Sequence, residues 1–257
     1  MDYSQYSLAK TGYLKEDFRL FHINDRTDRE FEWHYHDFHK IIVFVSGKVT
    51  YHIEGKAYHL KPQDILLVSQ GAIHKPEIDP AVPYERYIFW LREDLSRPEL
   101  NTCFQKANDR SFNLVRLDSA LQERLKDLLP EIEQSLRGDQ FGDNFLSEAL
   151  FTQFMVYINR IFLKSSTAPD RKSYSSDSQV EQLLKYINRN LSEDLSIDSL
   201  AGKFFFSKYH MMRKFKEETG YTIHNYIVSK RLLHARSLIS QRNGPFQNTA
   251  SEPDLGL

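Results

Sequence analysis

The feature that most constrains this chain is the stretch SIDSLAGKFFFSKYHMMRKFKEETG, which covers residues 196–220. Its apolar residues recur three and four positions apart, and this spacing predicts two short helices joined by a tight turn. Ser196 and Ser207 stand where a side-chain oxygen would cap the start of each helix, and Gly220 stands where the second helix would end. The stretch therefore predicts a helix-turn-helix.

The second predicted helix has an apolar back and a basic, aromatic front. Met211 and Phe215 fall on one face at i and i+4. The other face carries Tyr209, Met212, Arg213 and Lys216, flanked by Lys208 and Lys214. From residue 203 to 236, eight Lys or Arg oppose two Glu, a local charge of +6 in a chain of net charge −1. This asymmetry is typical of a nucleic-acid surface, and an ordinary solvated helix face is the alternative.

The longer run from Leu200 to Ile239 resembles the first half of the DNA-binding domain of AraC/XylS-type transcriptional regulators. The resemblance rests on fixed spacings of a Leu-Ala pair, a capping Ser, an Arg, Phe-Lys, Thr-Gly, Tyr-Ile, Arg-Leu, an Ala and a final apolar pair. Here these are Leu200, Ala201, Ser207, Arg213, Phe215, Lys216, Thr219, Gly220, Tyr226, Ile227, Arg231, Leu232, Ala235, Leu238 and Ile239.

The resemblance implies a protein that binds double-stranded DNA and is not an enzyme. The side chains facing base edges would be Tyr209, Met212 and Arg213. The side chains meeting phosphates would be Lys208, Lys214 and Lys216. The family has a second helix-turn-helix after a connecting helix, which we expect here from Thr222 to about Gln241. Residues 245–250 resemble the start of that second unit and 251–257 match nothing in it, so we expect an incomplete DNA-binding domain.

Residues 18–90 alternate apolar and polar side chains in short runs separated by turn signals such as Ser46-Gly47 and Glu54-Gly55. The runs predict strands at 40–46, 48–53, 56–60, 64–68 and 84–90. Many short strands at this spacing favour a small antiparallel barrel or jelly roll. The order of features resembles a cupin sensor domain of the kind that precedes AraC-type DNA-binding domains, and these features are His34, His36, Gly47, Tyr51, Tyr58, Pro62 and His74.

Two positions depart from the cupin pattern, because Lys40 stands where a glutamate is expected and Gln63 where a glycine is expected. We expect a small-molecule effector in the barrel mouth, with a sugar as the effector that the family suggests. Its polar contacts would be His34, His36, Tyr51 and His74. The alternative is that these side chains only satisfy one another and the backbone.

The three histidines form a possible set of ligands for a divalent metal, but a lysine beside them opposes a cation, so we expect no metal and no cofactor. A cupin metalloenzyme is the competing class, and it requires that metal. It also leaves the C-terminal motif unexplained. A further alternative is a truncated remnant that binds a small molecule or dimerises but has lost specific DNA binding.

These patterns together predict an α+β chain, with an N-terminal antiparallel β-barrel of the cupin or jelly-roll type, then helices, then an all-α helix-turn-helix domain. We expect a ligand-sensing domain over residues 1–115 and a helical connector over 116–164 that contributes to a homodimer. A serine-rich linker would follow over 165–177, and the DNA-binding domain over 178–257. Apolar stripes predict the connector helices at 117–136 and 145–163.

The chain has one cysteine, Cys103, which excludes an internal disulfide and favours a reducing compartment. No stretch approaches the ~20 apolar residues of a membrane span. Charges and tyrosines occupy the N-terminal positions where a signal peptide needs an apolar run. We therefore expect a cytoplasmic protein without a membrane partner.

Overall fold

The computed structural model describes residue 14 and residues 16–26, 30–93, 95–110, 112–164, 174–176 and 178–242. The strands are β1 (Phe18–Asp25), β2 (His39–Ser46), β3 (Val49–Ile53), β4 (Lys56–His59), β5 (Asp64–Val68), β6 (His74–Ile78), β7 (Tyr84–Leu91), β8 (Leu114–Arg116) and β9 (Tyr174–Ser176). The helices are α1 (Thr102–Arg110), α2 (Ser119–Arg137), α3 (Asp143–Lys164), α4 (Ser178–Arg189), α5 (Ile197–Phe204), α6 (Lys208–Thr219) and α7 (Ile223–Arg242), and a short 3-10 helix at Pro98–Asn101 precedes α1.

Two antiparallel sheets form the N-terminal domain, which was predicted to be a sensor and is called the sensor here. One has the strand order β1-β7-β2-β5-β8 and the other the order β6-β3-β4-β9. Strand β2 reads HKIIVFVS because both of its faces are buried. Ile42 and Phe44 pack with Tyr51 and Tyr58 of the second sheet in one apolar cluster. The predicted antiparallel domain is confirmed, and the described strands form two facing sheets of jelly-roll character rather than one closed barrel.

Three helices cover the outer face of the five-stranded sheet. Ile41 and Phe89 on that face pack in one cluster with Phe104 of α1, Leu128 of α2 and Phe154 of α3. The rings of Phe89 and Phe154 stack with their centroids 4.3 Å apart. The connector helices predicted at 117–136 and 145–163 are confirmed as α2 and α3. Pro130 lies inside α2 without ending it.

Helices α4 to α7 form the predicted DNA-binding unit around a second core, to which the sensor contributes Ile73. Leu183, Leu200, Met211, Phe215 and Tyr226 are all buried in it. The predicted caps are confirmed, because the side chain of Ser196 accepts from the backbone amide of Ser199 and the side chain of Ser207 accepts from the backbone amide of His210. The connecting helix predicted from Thr222 to about Gln241 is confirmed as α7.

The strands predicted at 40–46, 48–53, 56–60, 64–68 and 84–90 are confirmed as β2, β3, β4, β5 and β7, with ends that differ by at most one residue. Helix α1 and strands β1, β6, β8 and β9 were not among the predicted elements. Strand β9 lies within the segment predicted as a linker, and it pairs with β4. The rest of that linker, and the resemblance of 245–250 to a second helix-turn-helix, lie outside the described residues.

Candidate nucleic-acid interface and effector site

Three anchors fix the orientation of α6. At its start, Ser207 Oγ accepts from the backbone amide of His210 at 3.3 Å. At its end, Gly220 adopts the left-handed conformation with φ +76°, and its amide donates to the carbonyl of Lys216 at 2.8 Å. Along its back, Met211 and Phe215 are buried, and Phe215 meets the ring of Tyr226 edge-on at 5.4 Å. The back of α6 therefore cannot rotate outward without emptying the core of the unit.

The opposite side of α6 faces solvent. Tyr209 is 74% exposed and Met212 is 41% exposed, and the side chains of Lys208, Arg213 and Lys216 are exposed as well. Lys214 is half-buried at the flank of this front. Exposing two large apolar or aromatic side chains to water beside several cations costs free energy on an isolated surface. Against a DNA duplex, the same side chains can contact bases.

The ion pairs on this front are weak and exposed. Lys208 pairs with Asp198 of α5, and Arg213 Nε lies 3.8 Å from Glu217 Oε1. Exposed pairs contribute about 0–1 kcal/mol, so phosphate oxygens can replace these carboxylates at little cost. The front, defined as Lys208, Tyr209, Met212, Arg213, Lys214 and Lys216, is therefore chemically competent to meet nucleic acid.

Counting charges along the sequence assigned too many cations to this surface. Lys230 Nζ lies 2.7 Å from Glu54 Oε1 and 3.0 Å from the carbonyl of Gly71, both in the sensor domain. Arg231 donates to the backbone carbonyls of Leu191 and Glu193 inside the unit. These two residues belong to the local charge of +6, but their partners are protein atoms, which a charge count cannot reveal.

The four side chains predicted to contact an effector form one cluster. His34 and His74 pair through their backbones in an isolated bridge, and their ring centroids are 4.4 Å apart. The ring of His36 lies 5.1 Å from that of His34 and 5.0 Å from that of His74. Tyr51 stacks on His74 at 5.9 Å. We call His34, His36, His74 and Tyr51 the histidine cluster.

Backbone carbonyls set the tautomers of two of these imidazoles. Nδ1 of His34 lies 2.8 Å from the carbonyl of Glu32, and Nδ1 of His74 lies 2.8 Å from the carbonyl of Ala72. A carbonyl only accepts, so both Nδ1 atoms donate and each Nε2 carries a lone pair. Nε2 of His74 is buried and has no hydrogen-bond partner within the described part of the chain.

Burial keeps these imidazoles neutral. Desolvation lowers the pKa of His74 well below its ordinary value, and the nearby charge of Lys40 lowers it further. Desolvation also lowers the pKa of His34, with a smaller contribution from Lys40. Both rings are therefore neutral at pH 7, and their Nε2 atoms act as hydrogen-bond acceptors or as metal ligands.

Lys40 is a buried cation in the same interior. It is 8% exposed, and burial together with the charge of Arg86 lowers its pKa to about 8. Arg86 pairs with Asp25 and donates to the carbonyl of Tyr84 at 2.8 Å, whereas no carboxylate in the described ranges pairs with Lys40. Sequence analysis identified Lys40 as a departure from the cupin pattern that opposes a cation, and it missed Arg86 because the role of that residue depends on a neighbouring strand.

The histidine cluster has the donor set of a metal site. One ring nitrogen from each histidine lies within 4.8 Å of the others, and three imidazoles suit zinc and similar cations. The charge of Lys40 works against any cation placed there. The donors therefore fit a metal while the local field opposes it.

A second set of contacts joins the sensor to the DNA-binding unit, and sequence analysis missed it. Glu54, in the β3–β4 turn, accepts from the hydroxyl of Tyr226 and from Lys230 of α7. Lys56 Nζ lies 3.0 Å from Glu181 Oε1 of α4. We call Glu54, Tyr226 and Lys230 the junction latch. Tyr226 and the Glu54-Gly55 turn were visible in the sequence, but their proximity was not.

A second hydroxyl contact extends this junction at the end of α6. Tyr221 donates through its hydroxyl to the carbonyl of Trp33 at 2.8 Å. A Cβ placed on Gly220 would lie 2.0 Å from Trp33 Cδ1, so glycine is needed here for space as well as for conformation. The C-terminal end of α6 is thus packed directly on the sensor.

A two-sheet ligand-binding domain fused to a helix-turn-helix with an exposed cationic front defines a ligand-responsive, DNA-binding regulator of transcription. Residues 19–155 match the AraC-like ligand binding domain, and residues 187–227 match the bacterial regulatory helix-turn-helix proteins of the AraC family. The chain belongs to the AraC family of transcriptional regulators. Within the described residues, no helix combines the length and apolar character that a membrane span requires.

Several regulators resemble the chain over most of its length. It is 24% identical over 226 residues to the HTH-type transcriptional activator RhaR of Mannheimia succiniciproducens, covering 86% of this chain and 77% of the relative. It is 23% identical over 213 residues to the activator RhaS of Citrobacter koseri, covering 81% and 74%.

The chain is also similar to the solved structure of the AraC-like transcriptional activator CuxR. CuxR shares 18% identity and covers 77% of this chain and 67% of its own, with a TM-score of 0.36. ToxT from Vibrio cholerae, solved with a bound unsaturated fatty acid, shares 12% identity and covers 90% and 85%, with a TM-score of 0.40.

Proposed function

We propose that the protein reads double-stranded DNA through the front of α6. Arg213, Tyr209 and Met212 would face base edges, and the phosphates would be met by Lys208, Lys214 and Lys216. The observation that supports this most is the contrast across one helix, with Phe215 fully buried and Tyr209 74% exposed. A helix held by its back and free at its front is the geometry that a helix-turn-helix inserts into a major groove.

The two groups of side chains have different physical tasks. An arginine that pairs with guanine through two hydrogen bonds discriminates against the wrong base by ~1–3 kcal/mol. A lysine at a phosphate adds sequence-independent affinity, and it releases counterions, so binding weakens as salt rises. Arg213 therefore contributes specificity and Lys216 contributes affinity.

The experiment compares Arg213→Ala with Lys216→Ala on promoter fragments from the neighbouring genes, in a salt titration. Arg213→Ala should relax preference at one base pair by ~1–3 kcal/mol. Lys216→Ala should weaken binding on every sequence and reduce the salt slope by about 1. Gln182→Ala, an exposed change on α4 away from the front, serves as the control. Equal losses for both variants on all sequences would contradict the assignment.

We also propose that the histidine cluster contacts the effector. Its neutral Nε2 atoms offer acceptors, and Tyr51 offers a hydroxyl donor whose pKa burial keeps well above its ordinary value. Acceptors and a donor of this kind suit the hydroxyl groups of a sugar, and no charged partner is needed. The cluster would work without a resident metal, because Lys40 repels a cation in the same interior.

Three further properties belong to the same proposal. The protein acts as a homodimer through α2 and the neighbouring corner of α3. It works in the cytoplasm, where its single cysteine stays reduced; Cys103 is buried, and burial raises its pKa to about 12, so it is a poor nucleophile. It carries no catalytic activity of its own, and effector and DNA are its ligands.

A further inference from the structure

A cavity of about 330 Å³ lies between the sensor and the DNA-binding unit. Its sensor wall includes Glu54, Gln70 and Asn108, and its opposite wall includes Asn188, Arg189 and Lys230. Small-molecule sites measure ~300–1,000 Å³ and occur preferentially at domain interfaces. The histidine cluster contributes none of the residues that line this cavity.

The buried and half-buried charged side chains around the cavity, three Lys and two Glu, are held in ion pairs, whereas the other two charged lining residues, Asp109 and Arg189, are exposed. Glu181 Oε1 lies 3.0 Å from Lys56 Nζ and 2.7 Å from Lys185 Nζ. Lys230 Nζ lies 2.7 Å from Glu54 Oε1. A ligand with a net charge would meet buried ions that are already paired, so charge adds little to its binding there.

The remaining polar groups of the wall are amides and a hydroxyl. They belong to Ser69, Gln70, Asn108, Asn113 and Asn188. The side-chain oxygen of Gln70 is buried without a hydrogen-bond partner in the part of the chain that the structure describes. A buried acceptor of this kind calls for a donor, and a hydroxyl-bearing ligand would supply one.

We propose that this junction cavity is a binding site for a small, uncharged, hydroxyl-rich molecule, separate from the histidine cluster, whose occupant bridges the sensor and the DNA-binding unit. The site includes Glu54 and Lys230 of the junction latch, so its occupant contacts the groups that set the angle between the two domains. A ligand shifts such an equilibrium only by its difference in affinity between the two arrangements. A cavity with walls from both domains provides that difference, because separating the domains removes half of its contacts.

The test measures the thermal unfolding midpoint of the full chain with named probes. D-glucose, D-galactose and D-mannitol are the neutral probes, and D-glucuronate and D-glucosamine are the charged counterparts of glucose. Arg189→Trp and Asp109→Trp fill the cavity from opposite walls at exposed positions. Gln182→Trp on α4 and Gln105→Trp on α1 place the same bulk on the same two helices away from the lining.

At least one neutral probe should raise the midpoint of the wild type, and more strongly than the charged counterparts do. Its apparent affinity should fall by roughly tenfold or more in Arg189→Trp and in Asp109→Trp, and stay within about twofold in the two controls. The two filling variants are independent, so one that fails to fold leaves the other to decide.

Three outcomes would overturn the site. The first is that no neutral probe stabilises the wild type. The second is that both cavity-filling variants keep the full shift. The third is a shift that Tyr51→Phe abolishes while Arg189→Trp and Asp109→Trp leave it intact, which would assign the probe to the histidine cluster. DNA binding through α6 is measured separately, so its failure would not be mistaken for any of these results.

Discussion

Lys40 sets the chemistry that the sensor interior can perform. It occupies the position where the cupin pattern expects a carboxylate ligand, and its positive charge acts on the imidazoles of His34 and His74. Its pKa of about 8 means that the ammonium form still dominates at pH 7. A cation placed among the histidines would meet this charge at short range in a medium of low dielectric constant. The side chain of Lys40 therefore determines whether the histidine cluster is a metal centre or a site for hydrogen-bonding ligands.

Replacing the positive charge of Lys40 with a carboxylate should convert the histidine cluster into a metal site. We expect purified wild-type protein to contain no stoichiometric transition metal and Lys40→Glu to bind cobalt(II), since the variant adds a carboxylate to three imidazole ligands. The measurements are metal content after purification and the visible absorption of added cobalt.

Lys40→Gln is the matched control, because it removes the charge without adding a ligand. It should bind cobalt more weakly than Lys40→Glu. Stoichiometric metal in the wild-type protein would show that the repulsion argument is wrong, and it would reopen the metalloenzyme alternative.

Single residues were predictable where their role is local. The serine caps and Gly220 follow from rules about the first and last turns of a helix, and the structure confirms them. Lys230 was misassigned because its partners, Glu54 and Gly71, are more than 150 positions away in the sequence. A pattern of charges in the sequence predicts an exposed, charged helix face only where no other element packs against that face.

At the scale of elements, the corner between α2 and α3 is unusual in its exposure. Phe141 is fully exposed, Phe145 is 77% exposed, and Leu136 and Leu146 are also exposed. These four apolar side chains lie within eleven positions of one another, at the end of α2, in the connection and at the start of α3. Large apolar side chains grouped in this way mark a surface that a partner covers.

We predict that this corner contributes to the homodimer. Phe141→Ser combined with Phe145→Ser should convert a dimer to a monomer at micromolar concentration in sedimentation velocity, because it removes the apolar area that association buries. Leu163→Ser, an exposed apolar position at the far end of α3, is the control and should leave the dimer intact. A wild type that is monomeric at all concentrations would rule out this role for the corner.

Elements with a strong local period were predictable, and those defined by tertiary contacts were not. The apolar stripes of α2, α3 and α6 repeat within the helix itself. Strand β9 consists of YSS, in which only the tyrosine favours strands, and it is a strand because it pairs with the edge of β4. Helix α1 was missed because its sequence, TCFQKANDR, buries only three side chains and is otherwise polar.

Across the whole molecule, the junction latch is one of several contacts that join the core of the DNA-binding unit to the sensor. Tyr226 is buried in the core of the DNA-binding unit, and its hydroxyl also reaches Glu54 of the sensor and Asn188 of α4. Lys230 adds a charged hydrogen bond to the same carboxylate. Charge-assisted hydrogen bonds between half-buried groups are among the stronger polar contacts in proteins.

Removing the carboxylate should uncouple the domains. We expect Glu54→Leu to destabilise the chain by about 1–3 kcal/mol, because it leaves the Tyr226 hydroxyl and the Lys230 ammonium without their shared acceptor. Calorimetry should show one broad unfolding transition separating into two. Lys126→Met, which removes an exposed ion pair on α2, is the control and should change stability by less than about 0.5 kcal/mol. A single unchanged transition in Glu54→Leu would show that the latch does not couple the domains.

Strand β9 ends at Ser176 and α4 begins at Ser178, so one position separates a sheet edge from the first helix of the DNA-binding unit. A connection of one residue allows α4 little movement relative to β9. A large displacement of α4 from the sensor would therefore require β9 to separate from β4, which breaks three register pairs. The pairing at this sheet edge thus restrains where the DNA-binding unit can lie relative to the sensor.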